Sequence, residues 1–150
     1  MEAEETGTNI RDFLTVEIAD QLFGIPVLQV QDVLREQDVT RIPLASSEVA
    51  GSLNLRGRIV TAINVRRRLN LPPKAANEQS MSVVVEHDNE LFSLIIDDVG
   101  DVLSLRNDAF EKNPGTLDPI WRDISTGIYQ MDDNLLVIMD VSKLLEGIGK

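Results

Sequence analysis

Between Phe13 and Ala19 apolar and polar side chains alternate. Val16 and Ile18 fall on one face and Thr15 and Glu17 on the other, the pattern of a half-buried strand. Asp20 supplies a turn, and Leu22–Phe23 opens a second strand. The same run returns later in the chain. "LTVEIADQLFGIPVLQVQDVL" at 14–34 aligns without a gap on "VVVEHDNELFSLIIDDVGDVL" at 83–103. Val16, Glu17, Leu22, Phe23, Val30, Asp32, Val33 and Leu34 recur as Val85, Glu86, Leu91, Phe92, Val99, Asp101, Val102 and Leu103. A fainter match sets "GSLNLRGRIVTAINVRRRL" at 51–69 against "GIYQMDDNLLVIMDVSKLL" at 127–145. Both matches run in the same order, so the chain reads as two versions of one small β unit, each with four or five short strands. Units this small gain stability only by sharing a core.

The long apolar runs "GRIVTAINV" and "NLLVIMDV" suit central strands. A short helix follows each. One starts at Asn64 as N-cap and stops at Pro72–Pro73; the other starts at Asp140 and ends at Gly147. Segments 73–80 and 107–126 read as polar connections, punctuated by Pro114–Gly115 and Pro119. Residues 1–11 carry few large apolar groups and read as a flexible tail before a single domain over 12–150. The expected class is mostly β, with two barrel-like subunits.

Composition narrows the function. A net charge of −11 repels a phosphate backbone, and the one dense basic cluster, Arg66–Arg67–Arg68, has no interleaved aromatics. Nucleic acid is therefore not an expected partner; basic protein surfaces are. The acidic start "MEAEETGTNIRD" lacks the plan of a signal peptide, and no run approaches a spanning helix, so membrane insertion is not expected and the location reads as cytoplasmic. With no cysteine, thiolate metal sites and cysteine nucleophiles are absent.

Catalytic residue types are scarce. The single histidine, His87, reads as a solvated turn residue beside Asp88–Asn89. Asp97–Asp98 are neighbours on a strand and point to opposite faces, and "QMDDN" around Asp132–Asp133 reads as a hairpin tip, so neither pair is expected to bind metal or share a proton. "GSLNLRG" has neither P-loop nor GxGxxG spacing, and no serine has a histidine suited to activate it. No catalytic residue, metal or cofactor is expected. An acidic, small-molecule-binding β-barrel enzyme would need a polar pocket with perturbed titrating groups, which the chain does not display.

Arg56, between two apolar runs and beside Gly57, has two readings. It is a solvated turn residue, or, because Asn54 and Gly57 make a tight corner that aims the side chain, it serves a defined ion pair or interface. "LQVQDVLREQ" raises a related question, since a thin barrel cannot bury residues 28, 30, 33 and 34 together.

"FGIPVLQVQDVL", "VTRIP", "GSLNLRGRIVTAINVRRRL", "IIDDVGDVLSL" and "LLVIMDVSKLL" resemble, in order and over about residues 12–146, the CheW family of chemotaxis coupling proteins. The resemblance implies two intertwined, five-stranded SH3-like β-barrel subdomains around a shared hydrophobic seam, with short helices. It also implies a non-enzymatic adaptor that couples methyl-accepting chemoreceptors to the histidine kinase CheA. The partners would be the cytoplasmic receptor tips, the CheA regulatory domain and other CheW-like domains in rings, with recruitment from the cytoplasm to receptor arrays. Carried over by position, the receptor-binding groove would be lined by Val27, Val30, Asp32, Arg56 and Val102, with Gly57 allowing the turn. The chain departs from the family pattern at Thr61–Ala62 (usually proline-valine), Asn64 (usually aspartate), Asp32 (usually glutamate) and Ser93 (usually glycine), which bears on partner choice more than on fold. Alternatives are a CheW-like adaptor of pilus motility or gene regulation, and a fragment of a CheV-type fusion, against which the "MEAEE" start and the end just past the last helix speak.

Overall fold

The computed structural model describes residues 9–35, 37–74, 79–146 and 148. Among them, ten strands form two five-stranded sheets. Strands β1 (Ile10–Ile18), β2 (Gln21–Pro26) and β3 (Val30–Arg35) are followed by β4 (Val49–Leu55), β5 (Arg58–Asn64) and the short helix α1 (Val65–Arg68). The second half repeats the plan with β6 (Met81–His87), β7 (Glu90–Ile96), β8 (Asp98–Arg106), α2 (Pro119–Arg122), β9 (Ser125–Gln130), β10 (Leu135–Met139) and α3 (Val141–Glu146).

The halves exchange their third strands. One sheet runs β8-β1-β2-β10-β9 and the other β3-β6-β7-β5-β4. β3 therefore leaves the β1–β2 hairpin to pair with β6, and β8 leaves β6–β7 to pair with β1. The registers are reciprocal: Val30 lies opposite Val85, and their repeat counterparts Val99 and Val16 lie opposite each other. Each exchanged pairing also carries a bulge at the same place, between Val30 and Asp32 on β3 and opposite Thr15 on β1. At the second bulge Thr15 Oγ1 donates to the Asp101 carbonyl at 2.7 Å, and a Cβ on Gly100 would come within 2.6 Å of Thr15 Oγ1.

Both subdomains are SH3-like but open. Among the described residues no ladder joins β8 to β9 or β3 to β4. Side chains bridge the gap instead. Phe13, Tyr129, Leu136 and Ile138 form one interior with Leu103 and Leu105 of β8; Val60, Val84 and Leu91 form the other with Leu34, Leu53 and Leu55. The largest cluster lies between the subdomains. It takes Leu14, Val16, Ile18, Phe23 and Val137 from one and Ile63, Val83, Val85, Leu94 and Ile96 from the other. Burying a side chain of this size stabilises by roughly 1.5–3 kcal/mol, so the seam binds the two halves into one folding unit.

Tight turns close three hairpins. Ala19–Asp20, Arg56–Gly57 and Asp88–Asn89 each place two successive residues at positive φ, as a two-residue turn matched to strand twist requires. Both expected helices form. The Asn64 side chain accepts from the Arg67 N–H at 3.1 Å, and Asp140 Oδ1 accepts from the Lys143 N–H at 3.1 Å. Gly147, expected to end the second, lies outside the described residues.

Two expectations are corrected. The connection over 107–126 contains α2, because Pro119 sits where its missing N–H costs nothing and Asp118 Oδ1 accepts from the Ile120 N–H at 2.9 Å. What read as punctuation is a helix start, and strand β9 already begins at Ser125. The tail read over 1–11 is also too long. Ile10 and Arg11 belong to β1 and pair with Arg106 and Leu105; residues 1–8 lie outside the described residues.

Candidate functional site

The Arg56 corner is built by local geometry. Leu55 and Arg58 close the β4–β5 hairpin, leaving Arg56 at φ +51° and Gly57 at φ +85°. Asn54 contributes through its side chain: its Oδ1 accepts the Gly57 N–H at 3.0 Å. An arginine in the left-handed region costs roughly 1–2 kcal/mol, where glycine would cost nothing. A strained, charged residue at an exposed hairpin tip is a functional signal.

What Arg56 reaches is Asp32. Its Nη2 lies 2.8 Å from Asp32 Oδ2, with the Arg56 side chain 75% exposed and that of Asp32 23% exposed. The bulge beside Val30 turns Asp32 towards the same side as Leu34, the interior of its subdomain. Asp32 Oδ1 accepts its neighbour Val33's N–H at 2.9 Å. Oδ2 is buried and receives no aligned hydrogen bond, so the guanidinium meets it as a charge, off the hydrogen-bond axis. The contact also spans the open side of the subdomain, since β3 and β4 are the two edges of that sheet.

The remaining expected residues divide between two places. Val27 lies in the 3-10 turn Val27–Gln29, the strap by which the chain crosses from one subdomain to the other; it and Val30 are half-buried against the seam. Val102 stands on β8 of the other subdomain, opposite Leu14 and 55% exposed. No pairing among the described residues ties Val102 to Arg56 or Asp32. Of the four apolar groups that a thin barrel cannot bury together, Leu28 projects almost fully at 96% exposure, Val33 is 37% exposed, and Val30 and Leu34 are half-buried. Ile59, 69% exposed and three residues from Arg56, was not signalled by the strand pattern, because an apolar residue in an apolar run gives no sign of facing water.

His87 departs from its expected role. It ends β6 with its side chain only 21% exposed, Nδ1 3.5 Å from Ser142 Oγ and Nε2 3.4 Å from Asp88 Oδ2. Two members of the basic cluster are likewise turned inward, while Arg67 is exposed. Arg66 forms a two-point pair with Asp97, and Arg68 donates to the carbonyls of Leu144 and Lys143. Among the described residues no cluster of His, Asp or Glu could hold a metal, and no helix is long and apolar enough to cross a membrane.

The CheW-like domain model matches residues 12–148, nearly the whole described chain. The chain belongs to the CheW-like family. It is 24% identical over 143 residues to the chemotaxis protein CheW of Helicobacter pylori, covering 95% of this chain and 86% of that one. To the chemotaxis protein CheW of Klebsiella aerogenes it is 27% identical over 135 residues, covering 90% and 81%. The crystal structure of the scaffolding protein TtCheW from Thermoanaerobacter tengcongensis matches with a TM-score of 0.76 at 25% identity, over 86% of this chain and 88% of that one. In this CheW-like chain the Asp32–Arg56 pair has no counterpart in the other half, where the repeat puts Asp101 and Asp132.

Proposed function

We propose that this CheW-like chain is a non-enzymatic chemotaxis scaffold that couples methyl-accepting chemoreceptors to the histidine kinase CheA. The observation that carries the reading is the match, in sequence and in fold, of almost the entire chain to proteins named as chemotaxis proteins and to a scaffolding protein. Such a scaffold works in the cytoplasm and is recruited to receptor arrays, where it contacts the CheA regulatory domain and neighbouring CheW-like domains.

The receptor's helical hairpin tip lays its apolar face over Val27, Val30 and Val102, the mode in which an amphipathic helix fills a groove. Leu28 and Val33 extend that apolar surface on the strap and on β3. Arg56 orients the helix. Asp32 holds the guanidinium at one point and leaves most of its donors facing outward, and Gly57 lets the hairpin turn place it there. A planar fork already aimed by a carboxylate loses less freedom on binding than a free lysine would.

The test mixes the purified chain with CheA and a chemoreceptor signalling tip from the same organism, reading pull-down and kinase autophosphorylation. Receptor-dependent stimulation that needs this chain is expected. Arg56→Ala should weaken it with the fold intact. Binding to neither partner overturns the coupling reading.

A further inference from the structure

Ladder registers equate positions across the two halves. Phe23 lies opposite Val137 and Phe92 opposite Thr61 in the two parallel ladders; Met139 faces Ser125 as Ile63 faces Val49. The backbones that follow agree as well, since Asp140 N–H donates to the Ile124 carbonyl and Asn64 N–H to that of Glu48. Over Phe23 the space is full. The Trp121 ring meets it edge-on, centroids 5.2 Å apart and planes at 75°, and Leu117, Ile120 and Ile124 pack around it.

Counted back in sequence from Ile124 and Glu48, the residue that corresponds to Trp121 is Ala45, in a stretch that forms turns where the other half has α2. The space over Phe92 is correspondingly an open cleft of about 550 Å³, walled by Phe92, Ile63, Val49, Ala45, Ile148 and His87. His87 stands where the other half has the fully buried Ile18. Ser46 also lines the cleft, and its hydroxyl is buried with no hydrogen-bond partner among the described residues. Among the described residues the charged members of the lining are Asp88, Glu90 and Glu146, all exposed, and none is a lysine or arginine.

We infer that this cleft receives a tryptophan side chain from a partner protein, presented on a short helical turn and flanked by lysine or arginine. The molecule's own other half supplies the shape argument: the corresponding wall, with Phe23, Met139, Ser125 and Ile18 in place of Phe92, Ile63, Val49 and His87, is completed there by a tryptophan from such a turn. An indole entering over Phe92 repeats the edge-on pairing. The acidic rim selects basic flanks and repels acidic ones. None of residues 1–8, 36, 75–78, 147, 149 and 150 is aromatic, so none of them supplies an indole from within the chain. The inference uses neither Asp32 nor Arg56 and stands apart from the coupling role.

The probe is the heptapeptide Lys-Pro-Ile-Trp-Arg-Lys-Ile, which is residues 118–124 with both aspartates replaced by lysine, titrated into the full chain and followed by calorimetry and amide chemical shifts. Binding that perturbs His87 and Phe92 is expected, as is a loss of roughly tenfold when the peptide's tryptophan becomes alanine. Ala45→Trp fills the cleft from within and should abolish binding while melting no lower than the parent. Should that variant misfold, the exposed double change Glu90→Lys with Glu146→Lys gives the same reading by weakening the peptide. Absent binding, equal binding of the tryptophan and alanine peptides, or binding untouched by either protein variant overturns the inference. So does self-association that Ala45→Trp removes, which would give the cleft to a second copy of the chain.

Discussion

Arg66 grips Asp97 at two points, Nε to Oδ1 at 2.9 Å and Nη2 to Oδ2 at 2.6 Å, and Asp97 is the residue at which the chain crosses from β7 in one subdomain to β8 in the other. Asp97 Oδ2 also accepts the Ala19 N–H at 2.8 Å, from the hairpin turn of the opposite subdomain. One carboxylate thus ties α1, the crossover and the β1–β2 turn together.

Asp97 makes stability acid-sensitive. Burial, the largest single influence, pushes its pKa up, but the Arg66 hydrogen bond, the Ala19 N–H and the charges of Arg66 and Lys74 together outweigh it and hold the pKa below the usual aspartate value. The folded pKa is lower than the unfolded one, so this stabilisation is complete above the unfolded value of about 4 and is lost as pH falls through the folded one. Asp97→Asn leaves Arg66 buried against a neutral amide and should cost about 2 kcal/mol at pH 7. Denaturant melts from pH 7 to 2 should show the parent and variant converging at the acid end.

Arg56 carries strain that glycine would relieve. Arg56→Gly relieves the left-handed backbone but leaves the buried Asp32 Oδ2 without its cation, so the two effects oppose each other and stability should change by less than about 1 kcal/mol. The same variant should lose receptor coupling. Thermal melts and the kinase assay on one preparation separate the two effects, and a large drop in melting temperature would contradict both the strain and the interface reading.

Gly51 lies under the bridge by which Thr40 covers the outer edge of β4 at Ser52. A Cβ there would come within 2.3 Å of the Thr40 carbonyl oxygen, a backbone atom that cannot swing aside. Gly51→Ala should destabilise by about 2 kcal/mol and speed exchange of the Thr40 and Ser52 amides, measured by hydrogen exchange.

Trp121→Ala would give the first half the open wall that the second half already has. Removing a large aromatic packed on Phe23 should cost about 3 kcal/mol by chemical denaturation. A change under 1 kcal/mol would mean that the wall over Phe23 does not depend on its tryptophan.

Strand alternation and the repeat were legible because they are local: a period of two shows wherever one face is buried, and turn residues such as Asp20 and Asn89 must tolerate left-handed backbone. Pro119 misled because a proline marks a helix start as readily as a stop, and only the Asp118 cap tells them apart. The half-burial of His87 was hidden because α3, which covers it, comes from the far end of the chain. Leu28 was readable as an excess apolar residue; the exposure of Ile59 was not.

By itself, then, the sequence determined a mostly β chain of two like halves, where their turns fall, which positions are apolar, and the family to which the motifs belong. The tertiary structure alone decided that β3 pairs with β6 and β8 with β1. Alternation specifies a face but not a neighbour, and the exchange is favoured by a seam that neither half could bury alone. It also decided the fate of charges far apart in the chain, bringing Arg56 to Asp32 and Arg66 to Asp97, and it left Phe92 uncovered where Phe23 is closed. Those outcomes depend on long-range approach, which a charge or an aromatic in a linear pattern does not encode.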